Sequence, residues 1–235
     1  EDGMLCGIKK KNVDFIPNYS ETKEEPVTLP SIFPNLLCNP NTGIGVAIAC
    51  NWLPHNLKEV GQAIHDYMDG KEPMLPGPDF PTGGIIINKD AIPAIVKTGK
   101  GSIKLRGKYN FEDSNIVFYE IPYGVATEDL MNEIGEAADS GKINGIKNIR
   151  NESNRKKGFR LVIECEKTAS LATIINLLFK ETNLQTSISY NQVALIDKTP
   201  TELTLKDCIK VYVDHNTECI KREITFDLAK EKARL

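Results

Sequence analysis

Several features that would place the chain in a common class are missing from its sequence. No apolar run approaches the roughly 18 residues that a membrane helix needs. The first residues, EDGMLCGIKKK, lack the layout of a secretory signal. The six cysteines never form a Cys-x-x-Cys pair, which disfavours a zinc ribbon and a compact disulfide framework. We therefore expect a cytoplasmic protein with reduced thiols.

An excess of positive charge is also missing. The formal net charge is −3, which argues against a uniformly basic nucleic-acid coat but allows a local basic face beside an acidic remainder. Of the 235 residues, 40% are apolar, enough to bury one large domain or one domain with an appendage. His215 and Cys219 are four residues apart, but two ligands without a third predict ordinary helix packing and no metal site.

The order of apolar patterns predicts an α+β fold. Residues 1–30 mix charge, proline and short apolar stretches, as a connecting arm does. Leu57, Val60 and Ile64 recur at helical spacing, with Asn56 as N-cap and Gly70 past the end. A Pro/Gly-rich connector at 72–84 then separates this part from the next.

A second part of the sequence spells a β-α-β-β-α-β series. Its predicted strands are NIVFYEI, INGIKNI, FRLVIECE and SISYNQVALI, and its helices begin near Thr127 and Thr168. This order is the ferredoxin-like element, in which two helices cover one face of a sheet. The last segment, 205–235, has no Pro or Gly and carries a drifting apolar stripe, which predicts a long helix that begins a coiled coil.

Five stretches in register carry a resemblance to a known family. They are FPNLLCNPNTGIGVAIACNWLPHNL at 33–57, PGPDFPTGG at 76–84, TGKG at 98–101, EIPYGV at 120–125 and INGIKNIRNESN at 143–154. Together they resemble the A subunits of bacterial type IIA DNA topoisomerases, gyrase and topoisomerase IV. The resemblance covers nearly the whole chain and implies that 31–204 is the family's tower domain, that 1–30 leads out of a winged-helix domain, and that 205–235 starts the coiled coil.

The resemblance also implies a function. The chain would be a DNA-binding and DNA-bending fragment of an ATP-dependent enzyme that changes DNA topology by transient double-strand breakage and strand passage. The expected partners are double-stranded DNA, a second copy of the A subunit in a homodimer, and the B subunit; the expected location is the nucleoid of the cytoplasm. The fragment itself is expected to hold no cofactor, because Mg²⁺ and ATP would be supplied in the intact enzyme through the B subunit.

No catalytic residue is expected within this chain. Family members cleave DNA with a tyrosine that follows an arginine, and no Arg-Tyr dipeptide occurs here. All seven tyrosines come after the point where that nucleophile would stand. We therefore expect the fragment alone to be inactive, and we assign no proton transfer to His55, which is expected to be a capping or packed residue.

The resemblance places the strongest candidate site residue at Ile44. It matches the family isoleucine that wedges between base pairs, and its flanking glycines, Gly43 and Gly45, would let the backbone approach phosphates. Asn41 and Thr42 would donate hydrogen bonds to phosphate oxygens. The alternatives are a buried isoleucine between turn glycines and simple turn formation.

Two basic groups are further candidates for phosphate contact. The first follows the TGKG strand and includes Lys100 and Arg106. The second surrounds a strand-strand turn and includes Arg150 and Lys156, with Lys157 beside them; its alternative is a solvated hairpin tip. Two other functions stay open from the sequence: a non-enzymatic architectural DNA-binding protein, and a ferredoxin-like ligand-binding regulatory module.

Overall fold

A computed structural model describes residues 3–45, 48–156, 158–196 and 198–234 and shows a mixed α+β structure, which confirms the predicted fold class. The helices are α1 (Asn35–Cys38), α2 (Leu57–Met68), α3 (Ile92–Thr98), α4 (Thr127–Asp139), α5 (Leu171–Glu181) and α6 (Leu205–Lys232). The strands are β1 (Phe15–Pro17), β2 (Glu24–Pro26), β3 (Asn41–Ile44), β4 (Ala49–Trp52), β5 (Ile85–Ile86), β6 (Lys100–Arg106), β7 (Lys108–Glu112), β8 (Asn115–Glu120), β9 (Ile146–Asn151), β10 (Leu161–Cys165), β11 (Gln185–Asn191), β12 (Val193–Ile196) and β13 (Thr199–Glu202).

The chain divides into two compact units. Unit 1 comprises Glu1–Pro76, Val96–Gly99 and Asn191–Leu235, and unit 2 comprises Gly77–Ile95 and Lys100–Tyr190. The predicted arm at 1–30 and the predicted coiled-coil start at 205–235 both belong to unit 1. The boundaries between the two compact units do not fall at residues 30 and 204. The domain boundaries expected at those two positions therefore stay predictions.

Unit 1 is built around an apolar core between α2, the start of α6 and the β4 strand. The predicted α2 helix is confirmed: the Asn56 side chain accepts a hydrogen bond from the Lys58 amide at 3.0 Å, and Gly70 follows the end with a φ of 78°. The buried core residues are Leu37, Trp52, Val60, Ala63, Leu75, Leu203, Leu205, Cys208 and Ile209.

Helix α6 is confirmed as one continuous helix of 28 residues. It begins at a capping box in which Thr204 and Asp207 satisfy each other's backbone amides. The arm is fixed to it by Lys10, whose Nζ lies 2.6 Å from Glu223 and 2.8 Å from Asp227. Farther along, the apolar side chains Ile220, Ile224 and Leu228 are exposed. The coiled coil that this stripe predicts stays a prediction.

Unit 2 contains a four-stranded antiparallel sheet in the order β7-β8-β10-β9. Alternate residues of β8 and β10 point to one face because side chains alternate along a strand. On that face α4 and α5 bury their apolar stripes, as the sequence predicts. The residues that meet there include Ile116, Phe118, Leu130, Ile134, Leu161, Ile163, Ile174 and Leu178.

The last strand of the predicted ferredoxin-like element does not lie in this sheet, so that arrangement is not confirmed. β7 occupies the sheet edge beside β8, because the two strands are joined by a two-residue turn with Asp113 at a φ of 53°. The segment SISYNQVALI is not one strand: Gln192 interrupts it, β11 runs beside β6, and β12 forms a separate hairpin with β13.

Candidate nucleic-acid interface

The hairpin of β3 and β4 in unit 1 carries the candidate wedge. The two strands are antiparallel, with Ile44 directly opposite Ala49. One step nearer the tip, the Gly45 amide donates to the Ile48 carbonyl at 2.7 Å. Val46 and Ala47 of the tip lie outside the described residues. The sequence therefore folds into a short hairpin with Ile44 at the end of its first strand.

The side chain of Ile44 is almost fully exposed. Its relative accessibility is 96%, against 44% for Ile48 on the returning strand. The alternative of a buried isoleucine is therefore wrong. The apolar surface of this isoleucine is available for burial against another molecule, which contributes roughly 25 cal/mol for each Å² removed from water.

Neither Gly43 nor Gly45 has a φ in the left-handed region, and Gly43 lies within β3. A Cβ on Gly43 would lie 3.0 Å from the Cys50 sulfur, and one on Gly45 would lie 3.4 Å from the Ile48 carbonyl. Gly43 therefore allows the two strands to lie close together. Because it lies within β3, the interpretation of Gly43 as a turn glycine is wrong. Asn41 and Thr42 are exposed and also lie in β3, so simple turn formation does not describe them.

The base of this hairpin enters the core of unit 1. The Trp52 side chain is only 1% exposed, and its Nε1 donates to the Val193 carbonyl at 2.9 Å. Tryptophan combines a large apolar surface with one donor that needs a partner when buried. The exposed Ile44 is thus on a hairpin whose base is buried in the core of unit 1.

The basic row predicted along β6 has the expected alternation. Ile103 and Leu105 are buried, while Lys100 and Lys104 are exposed. Arg106 is partly buried: its Nε and Nη2 donate to Gln185 Oε1 at 2.9 and 2.6 Å, and its guanidinium lies 4.3 Å from the centre of the Phe179 ring. The two lysines are exposed, whereas the guanidinium of Arg106 is held within unit 2 by Gln185 and Phe179.

The second basic group surrounds the turn between β9 and β10 in unit 2. Arg155 and Lys156 are exposed at the tip, and Lys157 lies outside the described residues. Arg150, lower on the hairpin, is paired with Glu152 at 3.1 Å and with Glu164 at 2.9 Å. Two carboxylates thus offset the charge of Arg150 and leave the positive potential concentrated at the tip.

Arg160 forms a network that sequence reasoning missed. Its Nη1 donates to Glu112 at 2.9 Å and to the Tyr119 hydroxyl at 3.2 Å, and its Nε donates to Glu152 at 3.0 Å. The carboxylates raise the pKa of the guanidinium, which stays charged. The partners are 8 to 48 residues away in sequence, so only the strand register brings them together. No local sequence pattern predicts this cluster. Its hydrogen bonds link the hairpin of β9 and β10 to β7 and β8.

Tyr119 and Tyr212 are not activated as nucleophiles. The hydrogen bond to Glu112 raises the pKa of the Tyr119 hydroxyl, and burial raises the pKa of Tyr212. A tyrosine nucleophile needs nearby positive charge to stabilise the phenolate, and these shifts run the other way. Cleavage chemistry is not assigned to either residue.

Two of the three histidines, His55 and His215, have packing roles. His55 is 5% exposed and its amide donates to the Leu37 carbonyl at 2.9 Å; Asn56, not His55, is the helix cap. His215 Nε2 lies 3.2 Å from the Leu29 carbonyl and 3.6 Å from the Cys219 sulfur. Across the described ranges, no three His, Cys, Asp or Glu side chains gather as a metal site requires, and no helix has the length and apolarity to cross a membrane.

The fold and these exposed groups define a mixed α+β protein with an apolar-tipped hairpin in one unit and solvent-facing cations in the other. The sequence profile of the family formed by the A subunits of DNA gyrase and topoisomerase IV matches residues 2–235. The chain belongs to this family, which confirms the assignment made from its motifs.

Individual relatives agree with the family assignment. The DNA gyrase A protein of Metamycoplasma arthritidis is 43% identical over 98% of this chain and 27% of its own length. The corresponding proteins of Brachyspira hyodysenteriae and Mycobacterium tuberculosis are each 40% identical over 98% of this chain, and over 29% and 30% of their own lengths. The chain thus spans less than a third of the curated relatives it matches.

Proposed function

We propose that this chain is the DNA-binding and DNA-bending portion of the A subunit of a type IIA topoisomerase, and that Ile44 is the wedge that bends the duplex. The observation that carries the proposal is the 96% exposure of Ile44 at the end of β3. An apolar wedge separates two stacked base pairs at a cost of a few kcal/mol and gains contact area on the bent duplex.

The neighbours of Ile44 suit close approach to DNA. Asn41 and Thr42 are exposed polar residues on the same strand, and the segment from 41 to 52 contains no acidic residue that would repel phosphates. Gly43 and Gly45 add no side-chain bulk beside the wedge. In this proposal the four residues contact the sugar-phosphate backbone and fix the position of the duplex, while Ile44 enters the stack.

The basic groups of unit 2 contribute electrostatic attraction in unequal shares. Lys100 and Lys156 are exposed and contact phosphates directly in this proposal. Arg106 and Arg150 contribute less, because Gln185 and Phe179 hold the first and two glutamates offset the second. Such contacts release counterions, so affinity falls as salt rises.

The intact parent, in the same proposal, is an ATP-dependent isomerase that passes one duplex through a transient break in another. Two A subunits form a homodimer on double-stranded DNA, and the B subunit supplies ATP hydrolysis and the Mg²⁺ of the cleavage site. The protein then works at the nucleoid. Family membership supports this role, and the fragment alone acts only by binding and bending.

A non-enzymatic architectural DNA-binding protein is the second candidate, because the same exposed wedge would serve it. The coding sequence upstream separates the two: a winged helix with an Arg-Tyr dipeptide is expected for the topoisomerase, and its absence would favour the architectural protein. The ferredoxin-like regulatory module has less support, since β11 does not join the sheet that such a module would use.

The wedge is tested by Ile44→Ala in a bending assay with a duplex labelled at both ends for energy transfer. We expect the bent fraction to fall clearly while the affinity changes little, because a methyl side chain cannot separate base pairs. Ile16→Ala is the matched control, since Ile16 is a 46% exposed isoleucine on another hairpin of unit 1. Equal bending by Ile44→Ala and the unchanged chain would refute the wedge.

A further inference from the structure

The hairpin that carries Ile44 is attached to the rest of unit 1 by the pairing of Asn51 in β4 with Asn191 at the end of β11, and by two side-chain hydrogen bonds. At its root, Trp52 donates to the Val193 carbonyl at 2.9 Å. Closer to the tip, the side-chain amide of Asn191 donates to the Ala49 carbonyl. Because Ala49 is the direct cross-strand partner of Ile44, this second contact acts on the rung that holds the wedge.

The backbone around Asn191 is itself immobilised. The next residue, Gln192, is 4% exposed; its amide donates to the Gly99 carbonyl at 2.9 Å and its carbonyl accepts from Leu203 at 2.8 Å. A Cβ on Gly99 would collide with the Leu203 carbonyl, so only glycine permits this close approach of the two backbone segments. Asn191 therefore reaches toward the hairpin from a fixed support.

The side-chain amide of Asn191 uses only its donor group in this contact. Its Nδ2 is the donor to Ala49, while its Oδ1 is buried and has no hydrogen-bond partner among the described residues. Leaving a buried acceptor unpaired costs free energy, which partly offsets the hydrogen bond that the same side chain makes. The contact therefore adds little to overall stability, and its main effect is on the position of β4.

We propose that Asn191 is a positioning residue for the wedge, a role that rests on the proposed function of Ile44. A hairpin held only by Trp52 and by the strand pairing at Asn51 would bend between Asn51 and its tip when Ile44 presses on stacked bases. The Asn191–Ala49 hydrogen bond holds β4 near the tip as well, so that the force on Ile44 passes to the backbone segment at Asn191 and Gln192, which is hydrogen-bonded to Gly99 and Leu203. Intercalation then bends DNA instead of deflecting the hairpin.

The test uses Asn191→Leu in the complete 235-residue chain. Leucine has nearly the same shape as asparagine but no donor, and it also removes the unpaired oxygen, so the melting temperature should change little. Without DNA, we expect faster hydrogen exchange of the Gly45 amide, which closes the hairpin. With labelled duplex, we expect the bent fraction to fall toward that of Ile44→Ala, with Kd within about twofold. Asn18→Leu, whose side chain caps a turn of the arm, is the matched control.

The double variant Ile44→Ala/Asn191→Leu distinguishes the possible failures. If Asn191 acts through Ile44, the second substitution causes no further loss of bending. If it weakens binding equally in both backgrounds, Asn191 acts on DNA directly and the positioning role is overturned. If Ile44→Ala abolishes bending but Asn191→Leu changes neither exchange nor bending, the wedge stands and the positioning role fails. If Ile44→Ala bends normally while Asn191→Leu speeds exchange, the proposed function fails and Asn191 is only a structural anchor.

A second variant covers the case in which Asn191→Leu does not fold. Asn191→Asp keeps the shape and the acceptor but replaces the donor by a carboxylate oxygen facing the Ala49 carbonyl. The added charge complicates DNA binding, so only the DNA-free measurement is used for it. Faster exchange at Gly45 supports the anchor, and unchanged exchange with a folded protein overturns it.

Discussion

Two hairpins, one in each unit, present opposite chemistry at their tips. The β3–β4 hairpin exposes an isoleucine, and the segment from 41 to 52 has no charged residue. The β9–β10 hairpin exposes Arg155 and Lys156, while carboxylates neutralise the arginines lower on it. The first suits a contact that depends on shape, and the second suits one that depends on charge.

The difference extends to how each hairpin is held. Both are rooted in an apolar core, β3–β4 by Trp52 and β9–β10 by Leu161 and Ile163, but β9–β10 is also held by the ion pairs of Arg160 with Glu112 and Glu152. Burial of apolar surface is insensitive to moderate salt, while exposed charge is screened by it. Salt and substitution therefore distinguish the contributions of the two hairpins.

The largest expected effect is at the root of the apolar hairpin. Trp52→Ala removes a fully buried aromatic side chain and should lower the free energy of unfolding by about 3–5 kcal/mol. Ile44→Ala at the tip should change it by less than roughly 0.5 kcal/mol, because the side chain is exposed. Urea denaturation followed by circular dichroism measures both, since Trp52 is the only tryptophan and its removal also removes that fluorescence signal. A cost below about 1 kcal/mol for Trp52→Ala would show that the core does not anchor the hairpin.

A smaller effect is expected at the charged tip. Neutralising Arg155 and Lys156 with glutamine should reduce the slope of log affinity against log salt by about 0.9 for each phosphate contact, hence about 1.8 for both. Arg150→Gln should reduce it by less than about 0.9, because Glu152 and Glu164 already offset that charge. Ile44→Ala should leave the slope unchanged. An equal reduction for Arg150 and for either tip residue would remove the distinction between paired and exposed cations.

The fold was predictable where the pattern is local. α2 and α6 follow from apolar periodicity and from capping residues at Asn56 and Thr204, and the strands of unit 2 follow from their β-rich runs. The place of β11 was not predictable, because strand neighbours depend on competition for a sheet edge. β7 is joined to β8 by the two-residue turn at Asp113 and occupies the edge of β8 that β11 would need.

The candidate site shows the same limit. Family motifs located Ile44, but its exposure and its pairing with Ala49 required the structure. The contributions of Asn191 and Arg160 could not be inferred, since each contacts residues far away in sequence through one side chain. Exposure, register and long-range hydrogen bonds are properties of the packed chain rather than of any local pattern.

The smallest expected effect concerns the close approach of β3 and β4 beneath the wedge. Alanine in place of Gly43 would limit the freedom of the unfolded chain and thereby stabilise the fold by roughly 0.4–1 kcal/mol if space allowed. The new Cβ would instead lie 3.0 Å from the Cys50 sulfur, which is tighter than ordinary contact. We therefore expect Gly43→Ala to destabilise the protein by about 1 kcal/mol, because overpacking outweighs the entropic gain.

The double variant Gly43→Ala/Cys50→Ala separates these two terms, since it removes the sulfur but keeps the new methyl group. In the Cys50→Ala background, Gly43→Ala should be neutral or stabilising by urea denaturation. A loss of the same size in both backgrounds would show that the contact with Cys50 is not what requires glycine here. Backbone strain could not explain such a loss of stability, because the φ of Gly43 lies outside the left-handed region. The preference for glycine at this position would then need another explanation.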